Sequence, residues 1–502
     1  MSPVATILLT ASCIGAAVAG ESPTSRLWGA EGEGWSASSR LPGFAWSGYR
    51  SGRLPLPEYP VVTDVRRHGA IGDGTTDDTQ AFKAAIASVG ELGAVLVPAG
   101  RYMITDVLTI DRSRVVLRGE GSDRTTLVMP KPLSAIRPLG NVDGTKSAYS
   151  FTGGFVVLTG GERGRKVADV IAPALRGART LDVGPDAAVK PGDWVRLVMQ
   201  DPEDHSLLRH IHGDLVEPGE DTLRHKKPVN WAAQIVEVEG GRIRLDRPLR
   251  VDVRMEWLPV LHAHAPVTED SGVEGLHFEF PGVPKLPHLL EEGYNAIHLN
   301  GVSNCWVKDV LVTDADNGVI VGGSRFCTIE AVTARANRRT TEFTGHHFLW
   351  ATVSQDCLFT GFKVDTVYVH DLTVEGFASG NVFTRGSGVS INCDHHRNGP
   401  YENLFTDIDV GDASRLYRSS GSANRGPHSG ARTTFWGLRG RGAFQALPVT
   451  DHFPLLNVVG FGGYADQTES ANGPWVEGGS AGVRPVNLWI AQVRKLGQSE
   501  VR

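Results

Sequence analysis

The sequence predicts an all-β fold: a parallel β-helix with an N-terminal capping helix and a small inserted antiparallel β unit. Three observations predict it. Glycine is abundant, at 60 of 502 residues, and no long run is charged or low in complexity, which favours short strands punctuated by Gly, Asn and Asp over long helices. Strand-like segments recur at intervals of 20 to 30 residues: GVEGLHFEF, NCWVKDVLV, FCTIEAVTA, DCLFTGFKV, VYVHDLTVE, ENLFTDIDV, TTFWGLRG and LLNVVGFGG. Three of these carry a cysteine at one place (Cys305, Cys327 and Cys357, separated by 22 and 30 residues). Such recurrence points to a column of small buried side chains stacked coil on coil rather than to disulfides. In a solenoid each coil buries its face on the next. A propeller would show a more regular blade of about 40 residues.

The elements follow in chain order. Residues 1–19 read as a secretory signal, with an apolar core from Val4 to Val18 and small residues at Ala17-Val18-Ala19, so the protein is expected to be secreted. That apolar stretch is short for a membrane span, and no membrane association is expected. An N-terminal extension (20–60) precedes the cap and first coils (61–185). In the cap, Asp77 with Gln80 forms a capping-box pattern ahead of a helix over Ala81–Ser88 that buries Phe82, Ala85 and Ile86. Asp73, Asp77 and Asp78 are accordingly read as structural acids at a helix start. Residues 186–262 interrupt the coils with an antiparallel unit turning at Gly240-Gly241, expected to wall a groove. The main coils and the groove occupy 263–465. Residues 466–502 form a C-terminal cap whose amphipathic helix is expected to close the far end of the coil.

The segment HGAIGDGTTDDTQAFKAAI, then GAVLVPAGRYMI, then VVLRGEG, about 60 residues in all, resembles the N-terminal signature of the pectate-lyase superfamily of right-handed parallel β-helix proteins. The resemblance implies that fold, and it implies a glycan as partner, because the superfamily includes pectate and pectin lyases, polygalacturonases, some β-glucanases and phage tailspike depolymerases. It transfers no catalytic set. The polygalacturonase pattern (Asn-Thr-Asp, Asp-Asp, Gly-His-Gly, Arg-Ile-Lys) is absent, as are the pectate-lyase Trp-Ile-Asp-His and Arg-x-Pro-x-x-Arg.

Chemistry must then come from composition and position. The formal charge of -6 argues against a nucleic-acid partner. Six of the 17 histidines fall within residues 340–432, together with six arginines and a single lysine. If successive coils stack, TGHHFLW, VYVHDLT, CDHHRNGP and RGPHSGAR line one groove, on the loops where such scaffolds carry function. The catalytic candidates are His395, His396, Arg397, Asp394, His428 and Asp407. The substrate-binding candidates are His346, His347, His370, Arg425, Arg432 and Tyr401.

Arginine grips a carboxylate bidentately, and histidine moves protons near neutral pH. The expected activity is therefore a polysaccharide lyase that cleaves a uronate-containing, anionic glycan by β-elimination. The alternatives are a glycoside hydrolase drawing its pair from Asp394, Asp407 and Asp409, with Asp371 or Asp356 in reserve, and a non-catalytic glycan-binding β-helix. Phe348, Trp350, Tyr401, Tyr417 and Trp436 are candidate sugar-stacking platforms, with Trp436 the one expected in the core. No cofactor is required and no metal set is assigned. Calcium is possible in such folds, but DADNG at 314–318 is not an EF-hand, because Arg325 stands where its glutamate would be.

Overall fold

The structure, a computed structural model, describes residues 23–214, 227–338, 342–422, 425–426, 430–448, 452–468, 472–478 and 482–497; the expected secretory signal lies outside them. The alternating segments stack as parallel strands in two ladders, one of 19 strands and one of eight. The eight-stranded ladder carries the site. Its strands are β1 (Leu108–Ile110), β2 (Val156–Thr159), β3 (Asn295–Asn300), β4 (Asn317–Gly322), β5 (Gly345–Thr352), β6 (Tyr368–Glu375), β7 (Cys393–His395) and β8 (Tyr417–Arg418), neighbours in this order. Register is kept by apolar columns: Ile297, Val319, Leu349, Leu372 and Cys393 pair in succession.

The interior is a set of such columns. Phe359, Phe383, Phe405 and Phe435 stack with centroids 4.3, 4.9 and 5.2 Å apart and planes within 16°. At two turns asparagine amides bond from one coil to the next, Asn317 to Asn295 and Asn381 to Asn403, each at 3.0 Å. These ladders satisfy buried polar groups at coil corners. Asp314 does the same locally, accepting from the amides of Asn337 and Arg338.

Cys305, Cys327 and Cys357 form the expected column, and with Cys393 all are buried free thiols. Burial raises the Cys305, Cys357 and Cys393 thiol pKa values, so none is a thiolate at neutral pH. All four should resist alkylation in the native protein and label fully in denaturant, which peptide mass spectrometry would show directly.

The capping helix, α1 (Thr79–Ser88), buries Phe82, Ala85 and Ile86 as expected. Its cap differs from expectation: Asp78 occupies the N-cap position, without a side-chain cap bond. The Asp78 carboxylate turns back to accept from the amides of Ile71 and Gly72, while Asp77 takes the Thr79 amide and hydroxyl. The acids there are structural.

The antiparallel unit has six strands and begins earlier than residue 186, at Lys166–Asp169, ending at Val260–Ala263. It has its own core around Leu197, Trp231, Ile235 and Trp257. The C-terminal helix α2 (Leu488–Lys495) does not plug the end of the coil. It lies along the flank, where Leu488, Trp489 and Val493 pack on the outward column Leu358, Val382, Leu404, Trp436 and Val459.

The N-terminal extension is a strap over the same flank. Arg40 bonds Asn457 and the Leu456 carbonyl, Ser47 the Gly380 carbonyl, Tyr49 the Asp270 carboxylate, and the Arg50 amide the Asn304 side chain. Among the described residues, no helix is long and apolar enough to cross a membrane.

Candidate functional site

A strand shows alternate residues to opposite faces. On β5, Phe348 and Leu349 both enter the core, which breaks the alternation and leaves His347 and Trp350 stacked on each other, centroids 4.1 Å apart and planes 14° apart. On β6, His370 lies in register with His347 and stacks on it at 4.3 Å. Thr373 and Glu375 follow at the alternate positions. On β7, Asp394 registers with Thr373 and, next along the chain, His395 with Val374.

These side chains floor a cavity of about 580 Å³. Trp350, Thr352, His370, Glu375 and His396 line its base; Val142, Asp143, Lys146 and Phe151 form one wall with His288 and Leu289; Ser420 to Ser422 and Arg425 form the other. Each wall is pinned by named bonds. The loop carrying His288 is held by the buried Lys285–Glu291 pair at 2.7 Å and by the Ser147 amide donating to the Leu289 carbonyl at 2.8 Å. In the other wall, the Ser420 amide donates to Asp394 Oδ1 at 3.1 Å, and Arg397 donates to the Gly421 and Gly426 carbonyls.

The cluster is dense in buried imidazole. His346, His347 and His370 are each at most 1% exposed and His396 is 7% exposed. Burial, reinforced for His346 and His347 by the neighbouring histidines, pushes all four below the usual histidine range, His370 to about 4. Burial also lowers His288. The set is therefore neutral at neutral pH. Burial opposes ionisation of Asp394, but His370, whose Nδ1 lies 2.7 Å from Asp394 Oδ2, together with His396 and the Ser420 hydroxyl holds this carboxyl well below the usual range. Glu375, 1% exposed, pairs through Oε1 with Arg425 and accepts from Asn398 at 3.3 Å, whereas its Oε2 has no hydrogen-bond partner among the described residues.

Of the residues expected from sequence, Asp394, His346, His347, His370, His396 and Arg425 meet here, and Trp350 lines the cavity. Others lie elsewhere. His395 points into the coil against Phe405 and Phe453, bonding Thr433 Oγ1 at 3.0 Å. Asp407 sits on the flank, paired with Arg439 at 2.7 Å and bonded by Asn487, so it cannot form a pair with Asp394. Among the reserve acids, Asp356 is paired with Arg250, and Asp371 faces inward, capping the Tyr368 and Asn392 amides and raised by burial to about 6.

Arg432 faces the antiparallel unit, near Glu402 and Asp252. Tyr401 packs in that unit's core, while Phe348, Tyr417 and Trp436 are also core residues. Arg397 braces a wall rather than lining the cavity. His428 lies outside the described residues. No described residue of the antiparallel unit, expected to wall the groove, lines this cavity; the loops at 142–151 and 288–289 do so instead.

Glu375 and His288 were missed. No alternation signal in VYVHDLTVE would have found Glu375, because it lies an odd five positions from His370, and the two meet only because Asp371 and Leu372 both turn inward. The donor set does not fit calcium, which takes oxygen ligands, because what converges here is imidazole nitrogen.

Comparison with known proteins agrees with the architecture. The family described as Rhamnogalacturonase A/epimerase, pectate lyase-like, matches residues 62–135. A glucan 1,3-beta-glucosidase from Cochliobolus carbonum is 32% identical over 114 residues, which are 20% of this chain and 14% of that protein. The tailspike protein gp49 from Pseudomonas phage LKA1 superposes with TM-score 0.50 at 12% identity, over 75% of this chain and 59% of that one. The Pseudomonas phage phi297 tailspike gp61 gives TM-score 0.44 at 14% identity, over 80% and 66%. The chain thus spans only part of these relatives: a seventh of the glucosidase and under two thirds of the first tailspike. With its parallel ladders and its capping helix, the chain has the right-handed parallel β-helix fold, and its residues 62–135 are similar to the pectate lyase-like family.

Proposed function

We propose that the cavity between β5–β8 and the 142–151 and 288–289 loops is the active centre of a secreted enzyme that cleaves a uronate-containing polysaccharide by β-elimination. The observation that carries this reading is the convergence of unpartnered imidazoles, a buried carboxylate and two cationic side chains, Lys146 and Arg425, in one open cavity on a glycan-associated fold. The matched relative's name, a glucosidase, and the family's description, rhamnogalacturonase and epimerase, support a carbohydrate substrate.

Within this reading, Lys146 and Arg425 neutralise the uronate carboxylate, which acidifies the neighbouring C5 proton. His288, the one exposed imidazole of the cluster, takes that proton. Electrons from the C5–H bond form the C4–C5 double bond as the C4–O bond breaks, and the imidazolium returns its proton to the leaving oxygen. Trp350 gives the sugar ring an apolar face.

A second reading, hydrolysis, is favoured by one observation, the unpartnered Oε2 of Glu375 beside the cavity. The purified protein, incubated with acidic and neutral polysaccharides, separates the two. The proposal expects ultraviolet absorbance from unsaturated ends to rise in step with new reducing ends on a uronate glycan. Reducing ends without absorbance would transfer the assignment to hydrolysis through Glu375.

A further inference from the structure

We infer that His347, His370 and His396 bind a divalent first-row transition metal ion of the zinc class at the floor of the cavity. One ring nitrogen from each of the three lies within 4.8 Å of the other two. Bound zinc holds nitrogens at about 2.0–2.1 Å, so a modest inward closure of the rings would complete three tetrahedral positions. The fourth would face the cavity.

The hydrogen bonds around the rings carry the inference further than their proximity does. Metal-binding histidines characteristically give their other nitrogen to a carboxylate or carbonyl, which fixes the tautomer. His370 Nδ1 meets Asp394 Oδ2 at 2.7 Å, a contact a carboxylate makes with a protonated nitrogen. His346 Nδ1 meets the Ser150 carbonyl at 3.0 Å, and a carbonyl can only accept. His347 Nδ1 bonds Thr373 Oγ1 at 3.0 Å. On His346 and His370 the remaining nitrogen, Nε2, is therefore a lone pair.

Nε2 of His346, His347 and His370, and Nδ1 of His396, are all buried without a hydrogen-bond partner among the described residues. Converging buried lone pairs repel one another, and each orphaned group carries an uncompensated desolvation penalty. A cation that accepts several of them at once removes both penalties. Imidazole donors select zinc, copper, iron or nickel over calcium and magnesium. Glu375, its Oε2 also unpartnered and its Oε1 3.7 Å from His396 Nδ1, stands next to the same centre. His288, His346 and His370 form an overlapping second triad, but His288 is exposed, so the three buried rings are assigned.

This inference is independent of the β-elimination reading, and its test needs no substrate. Untagged full-length protein would be stripped with a strong chelator, desalted, and titrated with Zn²⁺ and with Co²⁺. The expected result is one equivalent retained per chain, with visible Co²⁺ absorption of the low-symmetry, four-coordinate type. His370→Ala should weaken binding by more than a hundredfold, and Asp394→Asn by about 10–100-fold, with unchanged circular dichroism. His396→Gln serves as a second ligand variant should His370→Ala fail to fold. Failure of the wild type to retain either metal, or binding by a folded His370→Ala or His396→Gln protein equal to that of the wild type, would overturn the site. If metal is retained while no polysaccharide is cleaved, the site stands and the lyase reading falls.

Discussion

His288→Ala should lower kcat on a uronate polysaccharide by about a hundred- to ten-thousand-fold, the range a general base contributes, with little change in KM. His288 is the exposed imidazole of the cluster and sits on a wall of the cavity, so it can reach a bound sugar without a change in the floor. Its loop is anchored by Lys285, Glu291 and Leu289 rather than by the ring itself. The variant should therefore keep wild-type circular dichroism and thermal stability. Progress curves of absorbance at fixed substrate would read the loss directly. Retention of wild-type kcat would remove His288 from the mechanism and leave the proton transfer to another group in the cavity.

The second large effect concerns stability. Arg250 is 8% exposed and lies between two acids, with its guanidinium against Asp356 and 3.3 Å from Glu402 Oε2. It also donates to the Gly43 carbonyl at 3.1 Å. This one side chain joins the antiparallel unit, the coils and the N-terminal strap. Arg250→Ala leaves Glu402 to Arg176, 3.2 Å away, and Asp356 to Arg247, 3.7 Å away, so the loss should reach at most the roughly 3–5 kcal/mol that breaking a buried pair outright typically costs. The denaturant midpoint should fall accordingly, whereas replacing the exposed Arg242, paired with Asp182 at the hairpin rim, should leave it where it is. An unchanged midpoint for Arg250→Ala would mean that the remaining arginines satisfy both acids at no cost.

What the sequence revealed follows from which interactions are local. The coil period, the cysteine column and the buried face of α1 are written as spacing along the chain, and spacing survives folding. The helix cap was misassigned because the backbone amides of Ile71 and Gly72, brought close by a turn, compete for Asp78. Within the site, alternation separates the adjacent His395 and His396, and the structure sends His395 inward, whereas β5, where alternation breaks, brings the adjacent His346 and His347 together. Strict alternation would have put Glu375, five positions on from His370, on the opposite face; the consecutive inward residues Asp371 and Leu372 bring both to the cavity. Nothing in the pattern placed His288 or Lys146 beside β6, because their loops leave the coil and return over it, and such positions are set by tertiary packing. Asp407 and Arg432 were plausible by composition, but they belong to other faces of the coil.

The strap over the flank bears on how the molecule comes apart. In a solenoid each repeat touches only its neighbours, so stability is a sum of nearest-neighbour terms and the ends can fray one coil at a time. Here residues 40–50 bond to side chains and carbonyls at positions 457, 380, 304 and 270, while Phe44 and Pro42 exchange hydrogen bonds with Gln492 on α2. Coils nearly 190 positions apart thus share one clamp. Loosening any of them exposes the strap's Trp28, Trp35 and Phe44 together with the flank they cover, which adds a long-range coupling to an otherwise one-dimensional chain of contacts and makes its loss cooperative across the whole length.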